Sequence, residues 1–255
     1  MIATSRAEIE ALCEGGKRLA RHVRILSGMV RPGLLVRDLE AKAHEMVSAD
    51  GDSMAFLHYR TAKNEKPFPS GLCLSVNDEF VHCPAGVSTR VIQTGDVVCI
   101  DFGIQHGGLF TDHATTVIAG KGRAEDERLV AGTREALAAG IAAARIGNTT
   151  GDIGFAVEQV ANKYGFGFPR NLSGHGVGKK VHEEPHVPNF GAKRSGEKLV
   201  ENLVIAIEPM FAIGSGEVQL AEDGHTYKTK DGGHAAHFEH TIIMTKTGAA
   251  ILTKE

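Results

Sequence analysis

Apolar positions follow two patterns that alternate along the chain, one with a helical period and one with the two-residue period of strands. Ile9, Leu12, Leu19, Val23 and Leu26 recur at helical spacing after a Ser-x-x-Glu start at Ser5, which predicts an amphipathic helix with an N-terminal capping box. Pro32 and Gly33 close it. A second helix is expected from Asp38, with Leu39, Ala43, Met46 and Val47 on one face and Gly51 past its end. Over residues 52–69 the period lapses, and Asn64, Glu65, Lys66, Pro67 and Pro69 predict a surface loop. Leu72, Leu74 and Val76 then alternate with Cys73 and Ser75 as a short strand, and Phe80, Val81 and His82 follow just ahead of a turn. Residues 97–100 are wholly apolar and run into Asp101; beyond a Gly107-Gly108 turn, a second strand carries Asp112. This predicts a β-hairpin with one aspartate on each strand. An Ala-rich helix over 125–146 stops at Gly147, and Asp152 is placed to cap another through Tyr164, ended by Gly165. Residues 203–207 form an apolar strand that runs into Glu208, and a strand over 237–245 carries Glu239 among Phe238, Ile242, Ile243 and Met244.

These elements repeat. An apolar strand delivers a carboxylate at Asp101 and again at Glu208, and a carboxylate is followed by His and a β-branched residue at or near Asp112 and Glu239. Two halves of helix, helix, strand, carboxylate, strand, carboxylate would gather the four acids near a pseudo-twofold axis. The expected fold class is α+β, in a single domain over residues 1–255.

Bulk properties narrow the function. A length of 255 residues is enough for a full core, and a formal charge of -3 with pI near 6.5 provides no basic field for nucleic acid or anionic lipid. No apolar run approaches a membrane span and residues 1–10 do not resemble a signal peptide, so a cytoplasmic protein is expected. The four cysteines, at 13, 73, 83 and 99, fall in no metal or redox spacing and are expected as reduced thiols.

The chemistry gathers on the acids and on residues 174–185, where Gly174, Gly176 and Gly178 surround His175, and His182 stands beside an acidic pair. Glycine there is expected to break any regular element. Aspartate is a poor strand former and costly to bury unpaired, so acids inside apolar strands need a shared cation or donor. Asp101, Asp112, Glu208 and Glu239 with one imidazole make an oxygen-rich set large enough for two divalent ions such as Mn²⁺, Fe²⁺, Co²⁺ or Zn²⁺, with Ni²⁺ also admitted. A dinuclear centre of that kind is suited to hydrolysis. His175 is the ligand candidate, and His82 and His182 are left to face substrate.

Ser75-Val76-Asn77 with His82, Val98 through Gly103, Thr111-Asp112, Gly174 through Gly178, His182 through Pro185, Ile207 through Met210 and Phe238 through Thr241 together resemble the type I methionine aminopeptidases over nearly the whole chain. The resemblance implies the pita-bread (creatinase/aminopeptidase) fold, a curved and mostly antiparallel sheet backed by helices from two pseudo-symmetric halves. It implies that Asp101 and Asp112 both bind metal, that Glu239 bridges, and that His175 and Glu208 complete one ion's shell, Glu208 also taking the proton from a bridging water. His82 and His182 match the family's substrate-side histidines, and Phe68, Cys73, Val181 and His225 the pocket for the substrate side chain. The implied reaction is removal of the initiator methionine from nascent polypeptides when the second residue is small, with the ribosome as the place where they would be met. A monomer in the compact bacterial form is expected, with no nucleic-acid or membrane partner. The sequence departs from the common bacterial pattern at Glu65 and Lys66, at Cys83, at Val181 where Phe is usual, and at His225 where Trp is usual. An Xaa-Pro aminopeptidase or dipeptidase of the same fold, or a binding protein that kept the fold without activity, are the alternatives.

Overall fold

The computed structural model describes residues 1–60 and 66–255, so Asn64 and Glu65 of the predicted loop lie outside the described residues. Helix α1 (Arg6–Met29) starts at the capping signal, where Ser5 Oγ accepts the Glu8 N–H at 3.2 Å. The Glu8 carboxylate accepts from the Thr4 N–H at 2.7 Å instead of from Ser5. Helix α2 (Val36–Asp50) begins ahead of Asp38 because buried Val36 extends its apolar face, and it ends at Gly51 with φ 73°. Helix α3 (Ala124–Ala143) stops before Ile146, where Asn148 Nδ2 donates to the Ala143 carbonyl at 2.9 Å and satisfies the helix end. Helix α4 (Thr150–Tyr164) is capped by Thr149 and not by Asp152; Asp152 is the third residue of the helix and accepts the Thr149 N–H at 2.9 Å.

The strands are β1 (Ser53–Met54), β2 (Leu72–Val76), β3 (Glu79–Val81), β4 (Val97–His106), β5 (Leu109–Ile118), β6 (Gly174–Gly176), β7 (Glu183–Val187), β8 (Val204–Ile207), β9 (Met210–Ala212), β10 (Val218–Leu220), β11 (Tyr227–Thr229), β12 (Ala235–His237), β13 (Glu239–Thr245) and β14 (Gly248–Ile251). Two expectations change. The stretch after Asp52 is not all loop, since β1 pairs with β4, and the strand expected over 237–245 is broken at Phe238. Its first part, β12, pairs with β9, while β13 joins the main sheet.

That sheet runs β1-β4-β5-β13-β8-β6-β7, with β2 also on β4 and β14 also on β13, and every pairing is antiparallel. The hairpin β4–β5 turns at Gly107 and Gly108, both with positive φ, as a two-residue turn between twisted strands requires. Strands β5 and β13 lie side by side at the centre, so β4–β5 and β8–β13 flank their shared edge in the order a twofold axis there would give. This is the pseudo-symmetry expected from the repeat.

Strand alternation then separates core from chemistry. Ile100, Phe102 and Ile104 of β4 pack with Leu19, Val23 and Leu39 of the first helix pair. Ile205, Ile207, Ile242 and Met244 pack with Leu137 and Ile153 of the second. The residues between them on each strand face the other way.

Candidate active site

The register places the acids. Asp101 pairs with Ala114, Ala114 with Glu239, and His240 with Ile207. Residues opposite one another, or two apart on one strand, project from the same face. Asp101, Asp112 and Glu239 therefore share the face opposite the helices, and extending the β8–β13 register by one residue brings Glu208 across from Glu239. The pairing of Gly176 with Ile205 puts His175 on that face as well. All five are buried and line one cavity of about 490 Å³.

The ligand atoms of Asp112, His175 and Glu239 lie within 4.8 Å of one another. His175 Nε2 is 3.5 Å from Glu208 Oε1. Its Nδ1 is 2.9 Å from the Gly176 carbonyl, so the ring donates backwards and leaves Nε2 as a lone pair facing the acids. Thr241 Oγ1 accepts the Asp112 N–H at 2.8 Å and donates to the Asp112 carbonyl at 2.8 Å, which pins β13 to β5 beside the acids. Asn189 Nδ2 donates to the Glu208 carbonyl at 3.0 Å.

Burial raises the pKa values of Asp101, Asp112, Glu208 and Glu239, and in Asp101, Glu208 and Glu239 repulsion from the neighbouring carboxylates adds to it. Among the described residues no lysine or arginine forms an ion pair with any of them, and buried Asp101 Oδ1 and Glu239 Oε1 have no hydrogen-bond partner. A buried all-oxygen set with one imidazole and orphaned oxygens fits divalent cations and fits little else. Burial lowers His175 to about 3, so it is a neutral imidazole, the form that can ligate a metal.

Of the residues expected at the substrate side, His82, His182, Phe68, Cys73 and His225 line the same cavity. His82, directly after β3, sits at φ 57°. Burial lowers His82 and His182 to about 4. His225 meets Phe68 edge to face at 5.6 Å between ring centroids. Val181 is a correction: it is 3% exposed and lies outside the cavity wall, because His182 beside it takes the cavity-facing place. Gly174 and Gly176 are another, since they form strand β6 instead of breaking one. A Cβ on Gly174 would meet the Ala206 carbonyl oxygen at 2.4 Å, so these glycines answer to crowding between neighbouring strands.

Two residues were not foreseen. Tyr59 lines the cavity and its hydroxyl is 2.7 Å from His182 Nδ1; it lies in the stretch without period, where nothing in the sequence marks it. His237 stands behind Glu208 and Glu239, with Nε2 at 3.5 and 3.8 Å from their carboxylates. Its spacing of two from Glu239 on a strand was the available signal.

A curled antiparallel sheet that holds four acids and an imidazole in one buried cleft is the arrangement of a metal-dependent hydrolase. The chain matches the sequence model of metallopeptidase family M24 over residues 10–246, and it belongs to that family. Methionine aminopeptidases are among the proteins it is similar to. That of Aquifex aeolicus is 45% identical over 98% of this chain and 97% of its own length, and the crystal structure of that of Thermotoga maritima superposes with TM-score 0.93 at 36% identity, covering 100% of both chains. A prolidase from Pyrococcus furiosus, 23% identical with TM-score 0.76, shares the fold over 66% of its length. The expected pita-bread fold and metal-dependent aminopeptidase class are thus borne out, as is the use of divalent metal. Among the described residues no helix is long and apolar enough to cross a membrane.

Proposed function

We propose that this chain removes the N-terminal methionine from nascent polypeptides whose second residue is small, with two divalent ions held by Asp101, Asp112, His175, Glu208 and Glu239. The observation that carries the reading is the convergence of those five donors on one sheet face, buried, without a cationic side chain among them. When bound, the ions would polarise the scissile carbonyl and lower the pKa of the attacking water. The protein's own residues do the rest. Glu208, held by its main chain to Asn189, takes the proton of the nucleophile and passes it toward the leaving amine. His182 donates from Nε2 to the carbonyl oxygen as charge develops there, and His82 contacts the scissile amide. Phe68, Cys73 and His225 enclose the methionine side chain. The substrates would be met in the cytoplasm by a monomer.

The Tyr59 hydroxyl, 2.7 Å from His182 Nδ1, is placed to select the tautomer of His182. With the phenol donating to Nδ1, the ring proton resides on Nε2, where the carbonyl needs it. Tyr59→Phe is expected to lower kcat about fivefold to tenfold, the worth of about 1 kcal/mol for one hydrogen bond, with the melting temperature nearly unchanged. Steady-state kinetics on a Met-Ala-Ser peptide would show it; an unchanged kcat would remove Tyr59 from this role.

The function is tested with chelator-stripped protein reloaded anaerobically with Mn²⁺, Fe²⁺ or Co²⁺. Met-Gly-Met-Met and Met-Ala-Ser should be cleaved, Xaa-Pro peptides should not, and EDTA should abolish turnover. Cleavage of Xaa-Pro peptides in preference to Met-Gly-Met-Met would refute the reading.

A further inference from the structure

His237 is 1% exposed, and neither of its ring nitrogens has a hydrogen-bond partner. A buried polar group left unpaired costs about 1–3 kcal/mol, and an apolar side chain would pack here without that cost. The main chain of His237 is nevertheless held on both sides. Thr116 Oγ1 accepts the His237 N–H at 3.0 Å and donates to its carbonyl at 2.7 Å, with Cys99 Sγ also near that carbonyl at 3.8 Å. The clamp comes from β4 and β5, the strands that carry Asp101 and Asp112. From that fixed backbone the ring reaches Glu208, whose Oε1 faces His175 at 3.5 Å and whose Oε2 faces His237 Nε2 at 3.5 Å. Unlike the four acids and the imidazole of the site, His237 does not line the cavity. It stands behind the carboxylates and not beside the space they enclose.

We propose that His237 is a positioning residue of this centre: its Nε2–H donates to Glu208 and fixes that carboxylate from the side opposite His175. The inference rests on the role given to Glu208 above. A shift of a few tenths of an ångström brings the pair within bonding distance, and contacts of this kind commonly tighten only in the loaded site. The unpaired nitrogen, the clamp and the two-sided bracket of Glu208 are then explained together. The ring would raise the precision of the site without touching substrate.

The test compares His237→Leu, His237→Asn and His237→Gln by calorimetric titration of the chelator-stripped protein with Mn²⁺, alongside kinetics on Met-Gly-Met-Met. Leu fills the space without a donor, and Asn is too short to reach; both are expected to weaken Mn²⁺ binding by about 10–100-fold and to lower kcat with little change in KM. Gln carries an amide N–H at similar reach and should restore both. If Leu fails to fold, as judged by melting of the stripped protein, Asn against Gln decides. Unchanged Mn²⁺ affinity in the donor-free variants would reduce His237 to packing, and a Gln variant as impaired as Leu would make the ring a direct ligand; either result overturns the proposal. If the natural protein cleaves no methionyl peptide while Mn²⁺ affinity still follows the donor series, the peptidase reading fails and the positioning role stands.

Discussion

Asp112→Asn is expected to abolish turnover while making the metal-free protein more stable. Asp112 is 4% exposed, and its ligand oxygen shares a 4.8 Å cluster with those of His175 and Glu239. The amide is the same size, but it removes one negative charge and aims a donor where a cation would be held. Loss of a ligand and of its charge should lower kcat/KM by on the order of 10³-fold or more, about 4 kcal/mol or more of transition-state stabilisation. Mn²⁺ affinity should fall with it. The stripped protein should respond in the opposite sense. Burial and mutual repulsion penalise the ionised acids, so a neutral residue relieves part of that cost in the folded state. A gain of about 1 kcal/mol would raise the melting temperature by about 2–4 °C for a chain of this size. Melting in EDTA, paired with metal titration and kinetics, reads both signs. A variant that keeps its activity, or one that melts lower without metal, would remove Asp112 from the centre.

The acids could be read from the sequence because each violates a local rule. An aspartate at the end of Val97-Val98-Cys99-Ile100 is costly unless something pays for it, and a second one on the partner strand makes accident a poor explanation. The pseudo-symmetry was legible for the same reason, since both halves repeat the violation. What was not legible is non-local. The pairing of Ala114 with Glu239 joins residues far apart in sequence, and only that register shows that the β5 and β13 acids share a face. Tyr59 belongs to a stretch with no period, where its hydroxyl's partner, His182, is supplied by a distant segment. Helix ends were misplaced by competing caps: Thr149 takes the position assigned to Asp152, and Asn148 closes α3 early. Val181 and His182 are neighbours, and sequence alone could not say which one turns toward the cavity.

Gly176→Ala is expected to damage both stability and catalysis without altering any functional side chain. Strand β6 is held between β7 and β8, and a Cβ on Gly176 would meet the Glu184 carbonyl oxygen at 2.1 Å, its carbon at 2.7 Å and the Glu183 carbonyl oxygen at 3.0 Å. These are backbone atoms, which cannot swing aside as the end of a side chain does. Strand β6 must move instead, and His175 moves with it, because the next carbonyl, that of Gly176, orients its ring. The strain should cost about 1–3 kcal/mol of stability or more, since overpacking here has no soft neighbour to absorb it. A displacement near 1 Å at a ligand should lower kcat/KM by about 10²-fold even with saturating metal. Gly28→Ala in α1 is the matching control: a Cβ there meets nothing within 4 Å, and the change should stabilise the helix by up to about 1 kcal/mol with activity untouched. Thermal melts and saturating-metal kinetics on the two variants separate crowding beside His175 from a general effect of replacing glycine. If Gly176→Ala matched the natural protein in both, β6 and β7 would have to spread freely, and the glycines around His175 would lose their explanation.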